Sequence, residues 1–410
     1  MNKLINQDLF DNTIQEIWCG PWKVHYQYFC NPGKEHLPPM MILGGAFQKF
    51  QAFKKDVRIL RREFPVLLVD LPGQGGNDQL SGEMTFEMLS DLLVDFLDKL
   101  DIEQVIPIAL SYGSAIGYFL AKNHPRRVHK LIMGGTTTEI RPSVSLLLEE
   151  SIRALRNNKM EDFASGVVLN LMNYSKRKVI KGGEIIGKKL LHNIQNLTEN
   201  EKVRYIHNTK RLMNMTLPEK IIDVETLVMV GEYDNFTTPH ECFNVSRRFR
   251  RSRFAIVHGA DHLASYERKD AVNESFLSFA LGKDLRKISG VTLWDKREYP
   301  PELRQQDPRF EIGVQAFLDA ENGLVIPVIV RDINHHGVKL ESSFFEADAY
   351  LQKSWRLKIP ILEVNHEVIL FEQEGMEFRG IFKKCCLESN LEMERMVTQL
   401  AQKGFSQIPA

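Results

Sequence analysis

The chain has 410 residues, of which 43% are hydrophobic and 26% are charged, the mixture expected of a globular protein with a substantial core. Lys and Arg number 53, and so do Asp and Glu, so the chain lacks the basic excess of a dedicated nucleic-acid-binding protein. The length suits two domains of roughly 280 and 120 residues.

The N-terminal segment and the cysteines indicate the cellular compartment in which the protein is expected. The first 12 residues contain two acidic side chains and no apolar run, so we expect no signal peptide. The five cysteines lack metal-ligand spacing and two are adjacent, which argues against a disulfide framework and favours a cytoplasmic protein. The longest uncharged stretch, residues 104–121, contains turn residues, and it fits a buried strand followed by a helix better than a membrane span.

Strand-like and helix-like stretches alternate along the first two thirds of the chain. Residues 14–20 and 22–30 are joined by a Gly-Pro turn and predict an antiparallel hairpin. Six short runs rich in Val, Ile and Leu then predict strands buried on both faces of a parallel sheet. These runs lie at residues 40–43, 66–70, 105–110, 130–133, 227–230 and 253–257. Helical stretches separate them, so we predict a doubly wound, mostly parallel α/β sheet. The helical stretches lie at residues 50–62, 85–100, 114–123 and 239–250.

Two parts of the chain break this alternation. Residues 140–222 contain amphipathic stretches and no strand-like run, so we predict a helical lid there, above the C-terminal edge of the sheet. Residues 284–308 are polar, contain three prolines and predict a linker. The domain before this linker is predicted at residues 1–283. Six β-type runs and a terminal helix follow, so residues 309–410 are predicted to form a small all-β domain.

The string ALSYG, at residues 109–113, lies between an apolar strand and a helical stretch. A nucleophile elbow needs small residues two positions before and two positions after its serine, because the strand-to-helix turn is tight. Gly113 meets this need, and Ala109 stands where glycine is usual. The string therefore predicts Ser111 as a nucleophile.

An acid and a histidine follow two later strands in the chain order that α/β hydrolases use. Asp234 ends the string GEYD, and His262 ends the string HGADH. We predict that His262 takes the proton of Ser111 while Asp234 fixes the imidazole tautomer. An aspartate at a strand end is more often a helix cap, so the prediction depends on all three residues together.

Two backbone N–H groups are expected to form the oxyanion hole. One belongs to Tyr112, directly after the nucleophile. The other belongs to Ala46, in the string GGAF after the first parallel strand. The glycines let the backbone approach an acyl oxygen, although they also fit a tight turn. Gly44 and Gly45 stand where His-Gly is usual. We expect catalysis without a cofactor or a metal.

These strings, together with DLPGQG at residues 70–75, resemble the α/β-hydrolase superfamily across residues 14–281. Within it, they are similar to the 3-hydroxyacyl-carrier-protein acyltransferase of rhamnolipid biosynthesis, which joins two 3-hydroxyacyl chains into an ester. That likeness rests on residues 44–46, 70–72 and 231–238 and on the helical insertion. The resemblance implies a fatty-acyl or 3-hydroxyacyl ester or thioester as substrate, carried on acyl carrier protein.

The predicted lid is locally basic. Residues 176–220 contain 11 Lys or Arg against 4 Asp or Glu, a net charge of +7. A cationic lid suits electrostatic docking of an acidic carrier protein. A solvated helix face explains the same charges equally well.

The string RDINHHG, between two β runs, resembles the PilZ family, a small β-barrel that binds cyclic di-GMP. The family pattern is Asp or Asn-x-Ser-x-x-Gly. Asp332 and Gly337 match it, and Asn334 replaces the serine. The family's two arginines, four residues apart, correspond to Arg309 and, one step out of place, Arg304. The resemblance implies that these residues bind cyclic di-GMP as a regulatory ligand. The guanidinium groups of the two arginines suit its phosphates and guanines. The alternative is a degenerate domain that only contacts protein.

Two functions follow from these features. The first is an enzyme that transfers an acyl group through an acyl-Ser111 intermediate to water or to a hydroxyacyl group. The second is a non-catalytic cyclic di-GMP receptor that uses the hydrolase fold as a scaffold. Labelling of Ser111 by a fluorophosphonate separates them, because only an activated serine reacts.

Overall fold

The computed structural model describes residues 8, 11, 13–30, 32–77, 80, 83–294, 307–320, 322–343, 351–383 and 386–408. Contacts between Cα atoms divide the chain into two compact units. The first consists of Met1–Ile140, Lys176–Ile186 and Asn196–Pro300. The second consists of Arg141–Ser175, Gly187–Gln195 and Pro301–Ala410.

A nine-stranded sheet, in the order β1-β2-β4-β3-β5-β6-β7-β8-β9, forms the centre of the first unit. The strands are β1 (Gln15–Cys19), β2 (Trp22–Phe29), β3 (Met40–Leu43), β4 (Val66–Asp70), β5 (Ile106–Leu110), β6 (Leu131–Gly134), β7 (Thr226–Gly231), β8 (Ser252–Val257) and β9 (Val291–Trp294). Strands β3 to β8 are parallel, whereas β1, β2 and β9 pair antiparallel to their neighbours. The predicted hairpin and the mostly parallel sheet are confirmed.

Ten helices precede the second domain's strands in the described part of the chain. They are α1 (Lys54–Leu60), α2 (Phe86–Lys99), α3 (Tyr112–Asn123), α4 (Pro142–Arg156), α5 (Met160–Leu171), α6 (Gly183–Gln195), α7 (Glu199–Met213), α8 (Pro239–Ser246), α9 (Ala264–Glu267) and α10 (Lys269–Ala280). Side-chain caps fix several N-termini. The Thr85 hydroxyl accepts the Met88 N–H at the start of α2, and Thr238 forms a capping box with Glu241 at the start of α8.

Helices α4 to α7 occupy the interval between β6 and β7 where the sequence predicts a helical insertion. None of the helices in the described residues combines the length and the apolar character that crossing a bilayer requires. The uncharged stretch at residues 104–121 forms β5 and α3, as predicted.

The sheet extends past the domain boundary that the sequence predicts at residue 283. Part of the predicted linker forms β9, which pairs with β8, and Leu285 and Ile288 lie in the hydrophobic core. A linker was predicted because the flanking residues are polar and prolines follow. The run VTLW nevertheless provides apolar side chains for an edge strand.

A closed barrel of six antiparallel strands confirms the predicted all-β domain. The strands are β10 (Arg309–Asp319), β11 (Val325–Ile333), β12 (Gly337–Glu341), β13 (Ser354–Ile359), β14 (Val364–Glu374) and β15 (Glu377–Phe382). Alternating apolar residues fill the barrel, among them Phe310, Trp355 and Phe378, because every second residue of a strand faces inward. The chain continues into α11 (Leu387–Gln402) and the short strand β16 (Gln407–Ile408).

Helix α4, from the insertion, packs on this barrel inside the second unit. Leu146 and Leu147 form an apolar cluster with Ile369 and Ile381. Beside it, Lys383 lies 3.0 Å from Glu150 of α4. The compact unit that contains the barrel is therefore larger than the predicted domain at residues 309–410.

Candidate active site

The turn between β5 and α3 has the geometry of a nucleophile elbow. Ser111 has φ of 50° and ψ of −116°, a strained conformation that points the side chain out of the strand-to-helix turn. A Cβ atom on Gly113 would lie 2.4 Å from the Leu43 carbonyl oxygen. A Cβ atom on Gly117 would lie 2.6 Å from the Cβ of Ala109. The packing around the turn therefore leaves room only for small residues.

The structure brings Ser111, Asp234 and His262 together from three separate loops. The Ser111 Oγ lies 2.9 Å from the His262 Nε2, and the His262 Nδ1 lies 2.9 Å from the Asp234 Oδ2. The side chains of His262 and Asp234 are 2% and 1% exposed, so water competes little for these hydrogen bonds. The result is a continuous hydrogen-bonded chain from a hydroxyl to a carboxylate.

Thr237, which the sequence analysis did not single out, holds the carboxylate in place. The Asp234 Oδ1 accepts the N–H groups of Phe236 and Thr237 at 2.9 and 2.8 Å. The Thr237 hydroxyl donates to the Asp234 Oδ2 at 2.9 Å and lies 3.1 Å from the His262 Nδ1. The signal for this contact was an Asp followed by the start of a helix, a common place for a side chain that accepts backbone N–H groups.

Two glycines pack closely against the His262 imidazole and the loop that carries it. Gly135 has a φ of 61°, and a Cβ atom there would lie 2.9 Å from the His262 Cε1. A Cβ atom on Gly231 would lie 2.1 Å from the Asp261 carbonyl oxygen. The Phe236 ring meets the imidazole edge-on, with centroids 5.0 Å apart. The loop that carries His262 therefore has little freedom to move.

The carboxylates of Asp234 and Asp261 influence the titration of His262. Burial would lower the pKa of His262, but the charge and hydrogen bond of Asp234 and the charge of Asp261 raise it above its ordinary value. Burial, together with the charge of Asp261, raises the pKa of Glu267 to about 10. Glu267 is therefore a neutral acid at pH 7, and its carboxyl oxygen accepts the Asp261 N–H at 2.8 Å.

We expect Asp261→Asn to shift the acid limb of the pH profile of kcat/KM to lower pH. The base must be neutral to accept a proton, and removal of the Asp261 charge lowers the pKa of His262. Glu267→Gln is the matched control, since it replaces a neutral carboxyl with a neutral amide and should leave the limb in place. An acid limb that stays fixed or moves upward in Asp261→Asn would contradict this explanation.

The predicted oxyanion donors lie beside the elbow. Gly45 approaches Ser111 so closely that a Cβ atom on it would lie 3.3 Å from the Ser111 Cβ. The N–H of the next residue, Ala46, has no acceptor among the described residues. Tyr112 is the first residue of α3, so its N–H has no partner within the helix. Their role as oxyanion donors stays a prediction.

Helix α7 is tied to the elbow through buried polar side chains that the sequence analysis did not identify. The Arg211 guanidinium donates to the Tyr112 hydroxyl at 2.7 Å and to the Met84 carbonyl oxygen. Asn208 donates to the Gly73 carbonyl oxygen at 2.7 Å and accepts the Tyr112 hydroxyl at 3.2 Å. Burial raises the pKa of Tyr112 to about 12 despite the nearby guanidinium. The phenol therefore stays protonated and donates.

The residues predicted to bind cyclic di-GMP are engaged with protein groups. The Arg309 Nε donates to the Asp332 Oδ1 at 2.6 Å. The buried Asn334 side chain accepts two backbone N–H groups at 2.9 Å, one of them from Gly337, and so shapes the turn between β11 and β12. Arg304 lies outside the described residues.

Nucleotide binding at this turn stays a prediction, which isothermal titration of the full chain with cyclic di-GMP tests. If the Arg309 guanidinium binds a phosphate of the nucleotide, we expect measurable heat in wild type and none in Arg309→Ala. Arg331→Ala, which removes an arginine of β11 that pairs with Glu341 of β12, is the control. The absence of heat in wild type would end the prediction.

A parallel sheet in this strand order, with a Ser–His–Asp chain at its carboxyl edge, defines an α/β-hydrolase architecture. The family described as alpha/beta hydrolase fold matches residues 38–269, more than half of the chain, so the chain belongs to this family. It is an enzyme of the hydrolase class.

Relatives of known type support this placement. The chain is 32% identical over 105 residues to a poly(3-hydroxyalkanoate) depolymerase of Ectopseudomonas oleovorans, a match that covers 26% of this chain and only 37% of that protein. It is 20% identical over 269 residues to an (R)-3-hydroxydecanoyl-ACP:CoA transacylase of Pseudomonas aeruginosa, covering 64% of this chain and 86% of that protein.

Solved structures agree on the fold. An α/β hydrolase enzyme from a Medee basin deep-sea metagenome library superposes with a TM-score of 0.59 at 16% identity, covering 66% of this chain and 98% of that one. An enol-lactonase from Burkholderia xenovorans gives 0.56 at 21% identity, covering 65% and 100%. At these identities the likeness concerns the fold alone.

Proposed function

We propose that the protein cleaves a fatty-acyl or 3-hydroxyacyl ester or thioester through an acyl-Ser111 intermediate. The observation that carries the proposal is the hydrogen-bonded chain from the Ser111 Oγ through His262 to Asp234. Ser111 is partly exposed while both of its partners are buried, so a substrate can reach the hydroxyl without disturbing the chain. An intact chain of this kind favours an enzyme over a scaffold.

In the first half-reaction, the Ser111 Oγ attacks the acyl carbonyl carbon as its proton passes to the His262 Nε2. The carbonyl oxygen becomes an oxyanion that accepts from the N–H groups of Ala46 and Tyr112. His262 then gives its proton to the oxygen atom of a leaving alcohol or to the sulfur atom of a leaving thiol, and the acyl–Ser111 ester remains. Asp234 stabilises the imidazolium that forms between the two proton transfers.

In the second half-reaction, an acceptor hydroxyl loses its proton to His262 and attacks the acyl–Ser111 carbonyl. Water as the acceptor gives a free acid, and the hydroxyl of a second hydroxyacyl group gives a new ester. Ser111 recovers its proton from His262 as it leaves. The names of the relatives, a poly(3-hydroxyalkanoate) depolymerase and a 3-hydroxydecanoyl-ACP:CoA transacylase, support a hydroxyacyl substrate.

The basic residues of the insertion support delivery of that substrate on an acyl carrier protein. Arg204 and Arg211 donate to backbone carbonyl groups within the first unit, so they serve the fold. Lys178, Lys181 and Lys210 are exposed and can attract an acidic partner. The carrier's role is part of the proposal.

The barrel is proposed as a PilZ-like regulatory module. Its closed six-strand form is compatible with that family, and its contact with α4 through Lys383 and Glu150 gives it a route to the insertion. Cyclic di-GMP is the proposed ligand. Its binding at the barrel would then change how α4 is held.

Mass spectrometry of the products from 3-hydroxyacyl-carrier protein tests the proposal. An ester of two hydroxyacyl chains identifies an acyltransferase, and free hydroxy acid identifies a hydrolase. Simple fatty-acyl esters serve as the second substrate series, because they need no carrier. Absence of turnover in both series, with Ser111 unreactive toward a fluorophosphonate, would favour the scaffold function instead.

A further inference from the structure

The loop after β3 has glycines at positions 44 and 45, so no side chain at these positions restricts its conformation. The proposed mechanism nevertheless needs this loop to present an N–H group to the oxyanion. Two glutamines supply the support. The Gln48 Oε1 accepts the Gly45 N–H at 2.6 Å, and the Gln48 N–H donates to the Gly45 carbonyl oxygen at 3.1 Å. From the other side, the Gln74 Nε2 donates to the Gly44 carbonyl oxygen at 3.2 Å. Every hydrogen-bonding group of Gly45 is thus occupied by Gln48.

The far end of the Gln48 amide reaches the loop of the catalytic histidine. The Gln48 Nε2 donates to the Tyr266 hydroxyl at 3.0 Å, and Tyr266 lies in α9, four residues after His262. Burial raises the pKa of Tyr266, so this hydroxyl stays neutral at physiological pH. The Gln48 side chain therefore links the loop after β3 to the short helix that follows His262.

This arrangement determines which N–H of the loop is available to a substrate. With the Gly45 N–H bonded to Gln48, the Ala46 N–H is the next one along the chain and has no acceptor among the described residues. A glycine peptide rotates freely unless something holds it. The Gln48 backbone N–H bonds the carbonyl oxygen of the Gly45–Ala46 peptide, and the Gln48 side chain bonds the N–H of the preceding Gly44–Gly45 peptide. Without the side chain, that preceding peptide would be free to rotate, and the preorganisation of the Ala46 donor would be reduced.

We propose that Gln48 is a positioning residue that holds the Gly45 peptide so that Ala46 presents its N–H to the oxyanion. The inference rests on the proposed acyl-Ser111 chemistry. The hydrogen bonds of Gln48 in the described part of the chain go to Gly45 and Tyr266, and none goes to Ser111. Gln48 acts on the transition state only through the backbone of the loop.

Gln48→Met tests the proposal, because methionine has a similar length and offers no comparable acceptor. Active sites are first titrated to completion with a fluorophosphonate, so that kcat refers to correctly folded enzyme only. Loss of one oxyanion donor costs roughly 10²–10³ in kcat, and a misplaced donor should cost roughly 10 to 10². We expect a loss of that size in kcat with little change in KM. Affinity for a trifluoromethyl ketone, whose adduct carries an oxyanion, should fall by the same factor.

Tyr266→Phe provides the comparison, since it removes the distal hydrogen bond and keeps the contact between Gln48 and Gly45. Its loss in kcat should be smaller. Wild-type kcat per titrated site in Gln48→Met would overturn the proposal, as would a loss equal to that of Tyr266→Phe. A change confined to Tm or to the titratable fraction would show a structural role and overturn it as well. If wild type cannot be titrated, the acyl-Ser111 chemistry itself fails.

Discussion

Replacing Ser111 with alanine is expected to reduce kcat/KM for an acyl ester by roughly 10³- to 10⁶-fold. The variant keeps the oxyanion N–H groups and the substrate-binding surface, but it has no atom that can form the acyl–enzyme. The residual rate should come from positioning and oxyanion stabilisation alone. Initial rates with a chromogenic fatty-acyl ester, over a range of substrate concentrations, measure the loss.

Ser114→Ala is the matched control for this variant. Ser114 lies in the first turn of α3, three residues after Ser111, and is 4% exposed, so its replacement removes a hydroxyl close to the elbow without removing the nucleophile. We expect near wild-type activity from it. Comparable losses in the two variants would assign the effect to the packing of α3 and would contradict a nucleophilic Ser111.

The second large effect is expected for Asp234→Asn, at about 10⁴-fold in kcat. The amide has the size of the carboxylate and retains an acceptor for the Phe236 and Thr237 N–H groups. It lacks the charge that stabilises the imidazolium, and its NH₂ group favours the tautomer of His262 that cannot accept the Ser111 proton. The kcat of the variant at pH values above and below the acid limb of wild type measures the loss.

Asp223→Asn controls for a general change of charge, because Asp223 is an exposed aspartate on the segment that leads into β7. This variant should behave as wild type. If Asp234→Asn kept most of the activity, the carboxylate would be a structural cap of the turn before α8, which is the simpler interpretation of an aspartate in this position.

Much of the first unit could be predicted from the sequence because parallel strands buried on both faces are continuous apolar runs. Strands β3 and β4 begin and end where the apolar runs do, and all of their residues are buried. The edge of the sheet was harder to predict. Strand β9 has only four residues and lies among polar residues, so the local sequence does not distinguish it from a loop, and its pairing with β8 is a long-range contact. The sequence predicts the terminal helix at roughly residues 391–403, and helix α11 begins earlier, at Leu387, because the Cys386 thiol caps it in place of a typical capping residue.

The three residues of the hydrogen-bonded chain could be predicted because each lies in the segment that follows a parallel strand, and the strand ends of a parallel sheet meet at one edge. Their supports could not. Gln48 contacts Tyr266 over a separation of 218 residues, and Arg211 contacts Tyr112 over 99. Neither residue lies in a motif, and a glutamine or arginine on a polar stretch usually faces solvent. The packing of α4 on the barrel is likewise a long-range contact that local periodicity does not specify.

Peptide mass spectrometry of the folded full chain after reaction with a fluorophosphonate measures most directly whether the buried imidazole activates this hydroxyl. We predict one adduct, on the tryptic peptide that contains Ser111, forming rapidly in wild type and far more slowly in His262→Gln. A folded protein that leaves Ser111 unmodified, or that reacts equally fast without the imidazole, would contradict the account.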